Sequence, residues 1–221
     1  MVSFTPLSWT MRLKIIKGIV KGLVYLHEFS PKMYVQGDLK PSNIVLGHNM
    51  EPHISDFGLG RLANIAGGPQ PFNLTELQQI CYKRNNKRVH SAQKLLQFHQ
   101  QIWGPIIRLL KQYKVVKPSQ EWHVYSYGVI LLEMITGRSP VIQVGTSEMD
   151  LVLWIQLCIE EQKPLADVLD TYLAPDVDKE EEIIAVLKIA MACVHSSPQR
   201  RPTMRHDQHV LSRLPLKIAK N

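Results

Sequence analysis

Between two short apolar runs lies Tyr34 to Asn43, Tyr-Val-Gln-Gly-Asp-Leu-Lys-Pro-Ser-Asn, a polar loop with a carboxylate at Asp38, an ammonium at Lys40 and an amide at Asn43. Eighteen residues past Asp38 a second carboxylate opens the triplet Asp56-Phe57-Gly58. A carboxylate can accept a proton, and an ammonium offsets charge on an anionic group. An amide oxygen and a second carboxylate are hard ligands suited to a small divalent cation. Taken alone, an Asp and an Asn five residues apart read as an Asx turn in a solvated loop. The Lys-Pro-Ser between them and the Asp-Phe-Gly beyond make that plain reading insufficient.

Together the two stretches resemble the catalytic loop and metal-binding triplet of eukaryotic protein kinases. The resemblance implies a role for each residue: Asp38 as the base for an attacking hydroxyl, Lys40 near the transferred phosphate, and Asn43 and Asp56 on Mg²⁺. Gly58 completes the triplet on the nucleotide side, and the implied cofactors are ATP and Mg²⁺. The wording Gly-Asp-Leu-Lys-Pro-Ser-Asn, with Gly37 where most kinases carry arginine, resembles the plant receptor-like kinases. Gln36 departs from that pattern, which usually has histidine there. From Lys114 to Met204 the chain is similar to the leucine-rich-repeat receptor-like Ser/Thr kinases, although it contains no repeat.

The implied fold is α+β and protein-kinase-like, represented by a mainly helical carboxyl-terminal lobe without the amino-terminal β-sheet. The implied activity is transfer of the ATP γ-phosphate to protein Ser/Thr in transmembrane receptor signalling. The implied partner is a protein substrate or a partner kinase, and the implied location is cytoplasmic, at the cytoplasmic side of the plasma membrane.

The elements that must position these residues are legible around them. Leu13, Ile16, Ile19, Leu23 and Leu26 recur three and four apart, which predicts a helix, with Ser8 as its cap. Gly18 and Gly22 would weaken an isolated helix and predict close packing against a neighbour. Met33 to Gln36, Asn43 to Leu46 and Pro52 to Ser55 read as small strands flanking the functional loops. Asn49 falls in the turn between the last two, and His53 is read as a surface residue.

A kinase also needs a glycine-rich loop, a strand lysine and a helical glutamate, and no G-x-G-x-x-G occurs here. The expectation is that nucleotide binds weakly and that the chain as written is inactive, a pseudokinase-like fragment that binds another protein. Composition adds bounds: 45% apolar residues suffice for a core, and the formal charge is +7. Three cysteines far apart, Cys81, Cys158 and Cys193, argue against a disulfide framework. No apolar run approaches the roughly 18 residues of a membrane span, and no signal-peptide layout is present.

The basic excess is concentrated. No aspartate or glutamate occurs between Glu76 and Glu121, while Lys83, Arg84, Lys87, Arg88, Lys94, Arg108 and Lys111 do, with Tyr82, Phe98 and Trp103 among them. Such a stretch could bind single-stranded nucleic acid. A kinase has its activation segment here, ending in Ala-Pro-Glu, and that ending is missing. Permitted codons for Ile106 to Gln112, read one nucleotide out of phase, give Tyr-Tyr-Gln-Ala-Pro-Glu-Ala. The leading expectation is therefore that about Pro69 to Gln112 is translated out of frame, and nucleic-acid binding ranks last. The resulting partition is 1–68 as the first part of the lobe, 69–112 as an aberrant basic segment expected to be disordered, 113–214 as the remaining helices, and 215–221 as a tail.

Beyond the gap, Val129 to Ile135 is apolar on nearly every face, which predicts a buried central helix stopped by Gly137. In the family that helix begins with an aspartate that binds backbone amides of the catalytic loop. His123 occupies its place, which predicts a loosened loop around Asp38. Ser147 with Asp150, and Asp178 with Glu181, read as capping pairs for two further helices. Cys158 and Cys193 read as buried core, and His206 and His209 as a solvated face. Arg201 resembles the arginine that pairs with the glutamate of Ala-Pro-Glu; without that partner it is expected to be stranded, leaving a marginal lobe.

Overall fold

Helix α1 spans Trp9–Val24, and its sequence periodicity is its packing: Leu13, Ile16, Ile19 and Leu23 are buried, joined by Trp9, Ile15, Val20 and Val24. Each such side chain contributes about 1.5–3 kcal/mol relative to exposure. Ser8 precedes the helix in extended conformation, but its side chain makes no capping bond. Its carbonyl instead accepts from the Arg12 N–H at 3.0 Å. After Val24 the chain continues as a π-helical turn, Tyr25–Phe29, which buries the consecutive residues Leu26 and His27. A computed structural model describes residues 6–29, 39–55, 119–145 and 147–216, all within one compact unit. The strand expected at Met33 to Gln36, the residues Asp38, Asp56, Gly58 and Cys81, and the segment 69–112 lie outside the described residues.

A 3₁₀ turn, Pro41–Asn43, leads into strand β1 (Ile44–Leu46), which pairs antiparallel with β2 (Pro52–Ile54). Asn49 lies in the connecting turn and His53 is exposed, as expected from their positions. The central helix α2 runs Gln120–Thr136 and buries Val124, Tyr127, Ile130, Leu131, Leu132 and Ile135. It ends where Gly137 adopts φ 65° and donates its N–H to the Glu133 carbonyl at 2.9 Å. That left-handed conformation favours a residue without a Cβ.

A second hairpin follows, β3 (Val141–Val144) with β4 (Ser147–Asp150), and then helix α3, Leu151–Glu160. Here the expected cap is corrected. Ser147 is spent in the strand opposite Val144, and Asp150 alone caps, its Oδ1 accepting from the N–H of Val152 at 2.7 Å and of Leu153 at 3.4 Å. Only the residue immediately before the first turn can reach those orphan amides. A short helix α4 (Leu165–Val168) and a 3₁₀ segment (Thr171–Lys179) lead to α5, Glu180–Cys193. The expected Asp178–Glu181 cap is displaced too, because the 3₁₀ segment extends to Lys179, which takes the N-cap position and makes no side-chain capping bond. Glu180, Glu181 and Glu182 instead place negative charge on the helix's positive end. After a 3₁₀ turn, Pro198–Arg200, helix α6 covers Met204–Ser212 with Thr203 Oγ1 accepting from the His206 N–H.

In the packed unit α2 lies against α5, and α1 lies against α6 and β2. Polar contacts fix the register of these layers. Buried Arg12 donates from Nε to the Leu7 carbonyl (2.9 Å), from Nη1 to the Met134 carbonyl (2.8 Å) and from Nη2 to Asp170 Oδ2 (2.5 Å). Asp170 Oδ1 in turn accepts from the Tyr172 N–H at 3.1 Å. Midway along, the Tyr127 hydroxyl donates to the Ile16 carbonyl at 3.1 Å. Among the described residues no helix is long and apolar enough to cross a membrane.

Candidate functional site

Of the residues predicted to carry chemistry, the structure describes Lys40 and Asn43. Leu39 is buried in the core, and Lys40 follows it in extended conformation, half-buried. The 3₁₀ turn is closed by the Asn43 N–H to the Lys40 carbonyl at 3.0 Å. Pro41 suits its first position because it has no N–H to satisfy. Asn43 itself is 6% exposed.

The hairpin then ties together two halves of the predicted site. Its register, Ile44 with Ile54 and Leu46 with Pro52, continues one step beyond the strands. There Ser55 donates to the Asn43 carbonyl twice, from its N–H at 2.8 Å and its Oγ at 3.2 Å. Asp56 is the next residue in the chain, so Asn43 is bonded to the immediate neighbour of the second predicted ligand. The hairpin sits on α1 because two glycines admit it. A Cβ on Gly18 would run into the Pro52 ring, and one on Gly22 would come within 3.1 Å of Ile54 Cδ1. Lys14 Nζ adds a bond to the Asn49 carbonyl.

At the start of α2 the structure shows a contact that the sequence reading missed. His123 (1% exposed) and His27 (7% exposed) meet edge to edge, with ring centroids 5.1 Å apart and planes 14° from parallel. His27 Nε2 and His123 Nδ1 are 2.9 Å apart, so one ring donates and the other accepts. Burial pushes both imidazoles below their usual range, His123 to about 4, with His27 a further cause. Gln120 Nε2 donates to the His27 carbonyl at 3.1 Å, a second link between the same two elements. His27 carries no signal of its own in the sequence, since its partner lies 96 residues away.

Arg201 is not stranded. Its Nε donates to the His195 carbonyl and its Nη1 to the Glu121 carbonyl, each at 2.9 Å, and its guanidinium lies 4.9 Å from the centre of the Tyr125 ring. A planar cation with five donors can use carbonyls and an aromatic face where no carboxylate is within reach. Burial lowers its pKa and, foremost among several causes, pushes the Tyr125 hydroxyl up to about 12. Cys158 and Cys193 are buried as expected, and Cys193 donates to Asp207 Oδ2 at 3.1 Å. Burial moves that thiol upward, away from nucleophilic use.

No protein-family profile matches the chain. A solved structure shares its fold: the pseudokinase domain of BIR2, an immune regulator of the RLK/Pelle family, at a TM-score of 0.63 and 23% identity, over 93% of this chain and 52% of that one. The fold is thus that of the matched domain's helical part, with helices packed around α2 and a small hairpin against α1. A probable inactive leucine-rich-repeat receptor-like protein kinase of Arabidopsis thaliana is 42% identical over 92% of the chain. A probable LRR receptor-like serine/threonine-protein kinase of the same plant is 34% identical over 94%. The chain belongs to the protein kinase superfamily, as a carboxyl-terminal-lobe fragment of the plant leucine-rich-repeat receptor-like kinases. It spans about a quarter of the length of those relatives, 27% and 26%.

Proposed function

We propose that this lobe serves ATP-dependent phosphorylation of protein Ser/Thr, with Asp38 as base for the substrate hydroxyl and Lys40 beside the transferred phosphate. Asn43 and Asp56 would hold Mg²⁺, with Gly58 on the nucleotide side. The observation that carries this reading is the pair of hydrogen bonds that Ser55 donates to the Asn43 carbonyl, from its N–H and its Oγ, which couples the two stretches that carry the proposed ligands. An amide oxygen and a carboxylate suit Mg²⁺, which takes few protein ligands and hard oxygens. When bound, the ion neutralises charge on phosphate oxygens. The lobe would act on the cytoplasmic side of the plasma membrane, on a protein substrate or a partner kinase.

The experiment is a titration with Mg·ATP followed by backbone amide NMR. A weak interaction is expected, with a dissociation constant above about 1 mM, worth only about 4 kcal/mol. It should shift the Asn43 and Ser55 amides, require Mg²⁺ and disappear in Asp56→Ala. Shifts that ignore Mg²⁺ and survive Asp56→Ala would overturn the reading.

A second reading is favoured by one observation, the imidazole pair at the place where the family has an aspartate. In this reading the lobe is a noncatalytic protein-binding module, and phosphotransfer to Ser/Thr stays absent even when Mg·ATP binds. We also propose that residues 69–112 stand in place of an activation segment through a shift of reading frame. The codons used at Ile106 to Gln112 test this directly, because they must yield Ala-Pro-Glu when read one nucleotide out of phase.

A further inference from the structure

We propose that His27 and His123 form an acid-opened clasp, which holds the carboxyl end of α1 to the amino end of α2 while at least one ring is neutral and releases it when both rings take protons. The geometry carries this. The two rings share one hydrogen bond of 2.9 Å, lie nearly coplanar edge to edge, and are 7% and 1% exposed. Two neutral rings or one charged ring can keep an N–H···N bond; two imidazolium rings have only donors to offer each other. Two cations at this separation also repel in a site that water scarcely reaches.

Among the described residues, the charged groups that act on the pair do not outweigh its burial. Glu28, beside His27 on its own turn, is held from α6 by Arg205, whose Nε lies 2.8 and 2.7 Å from its two carboxylate oxygens. Glu121, on the first turn of α2, has its pKa lowered first by Ser119, and its backbone carbonyl is taken by Arg201. Both carboxylates favour a charged His27, yet burial outweighs them and leaves it below its usual range. For His123, burial is the largest cause and the neighbouring His27 adds to it.

The direction in pH follows. A group whose folded pKa is depressed contributes stability that is present above its unfolded value, about 6.5 for histidine, and lost as pH falls through the folded value. For His123 the window runs from about 6.5 down to about 4. Half-buried Glu133, pushed up to about 7 by desolvation, works in the opposite direction over much of that window, so a global unfolding curve of the native chain would mix the two. The test must read the clasp itself.

The native chain, labelled at the histidine ring carbons, is titrated by NMR from pH 8 to the acid limit of folding. Both His27 and His123 are expected to titrate below 6.5, and amide exchange, corrected for its intrinsic pH dependence, should show opening at Tyr25–Phe29 and Gln120–Val124. That opening should rise at least about tenfold per pH unit below 6, while Arg12 and Met134 at the far ends change less. Either ring titrating at or above 6.5, or equal opening at both ends of α2, would overturn the proposal. His123→Asp supplies a second arm: a carboxylate beside His27 should raise that ring above 6.5, and acidification from pH 7.5 to 6 should then tighten the junction. If this variant weakens on acidification as the native chain does, the clasp is not the cause.

Discussion

The two ends of α2 are fastened to α1 by buried polar contacts of opposite character. At one end Arg12 meets Asp170 and the Met134 carbonyl; at the other His27 meets His123. The first contact needs both partners charged, and the second needs at least one partner neutral. Between them the Tyr127 hydroxyl bonds the Ile16 carbonyl without any charge. The difference teaches where this lobe can respond to its surroundings. The arginine end is braced by four acceptor or donor links, including Leu7 and Tyr172, while at the imidazole end the described residues show the ring-to-ring bond and a link from Gln120.

The most damaging way to break this comparison is at the arginine end. Asp170→Ala leaves the Arg12 guanidinium buried without its carboxylate and is expected to cost about 3–5 kcal/mol, read as a fall in the urea midpoint. Replacing both partners, Arg12→Met with Asp170→Leu, should cost clearly less than the single change. A double variant as unstable as Asp170→Ala would show that packing, not the orphaned charge, sets the loss.

The comparison sharpens at Glu133, one residue before Met134. Its Oε2 is buried with no hydrogen-bond partner among the described residues, and burial raises its pKa to about 7. The folded chain therefore binds a proton there that the unfolded chain does not, between about 4.5 and about 7, and stability gains as pH falls through that window. Glu133→Gln is expected to stabilise by about 1–3 kcal/mol at pH 8 and by almost nothing at pH 5, measured by denaturant unfolding at the two pH values. A gain of equal size at both would mean the carboxylate is not the source. The smallest effect belongs to the neutral contact: Tyr127→Phe should cost about 0.5–1.5 kcal/mol at either pH, again from denaturant midpoints. A loss that varied with pH would tie Tyr127 to one of the titrating ends.

Much of the helical frame was legible before any coordinates, because apolar spacing reports burial directly. Leu13, Ile16, Ile19 and Leu23 faced inward as their spacing required, Gly18 and Gly22 made room for Pro52 and Ile54, and Gly137 stopped α2. Local capping was less legible. Whether Asp150 or Ser147 faces the orphan amides of α3 depends on where a hairpin ends, and hairpin register is set by pairing across strands. Arg201 was misjudged for a related reason. A guanidinium can satisfy itself on carbonyls and an aromatic ring, and neither Glu121's carbonyl nor Tyr125's face announces itself as an acceptor in a sequence.

The sequence by itself determined the family, the mainly helical lobe and the order of the residues predicted to carry chemistry, since these rest on side-chain type and on spacing along one stretch of chain. Only the tertiary structure decided which distant groups meet. Arg12 and Asp170 are 158 residues apart, His27 and His123 are 96 apart, and Trp9 donates its indole N–H to Glu182 across 173. Such contacts leave no periodic trace, because each depends on how whole helices cross. What a histidine does in this protein, titrate in water or hold a neighbour in the dark of the core, follows from that crossing and not from the residue alone.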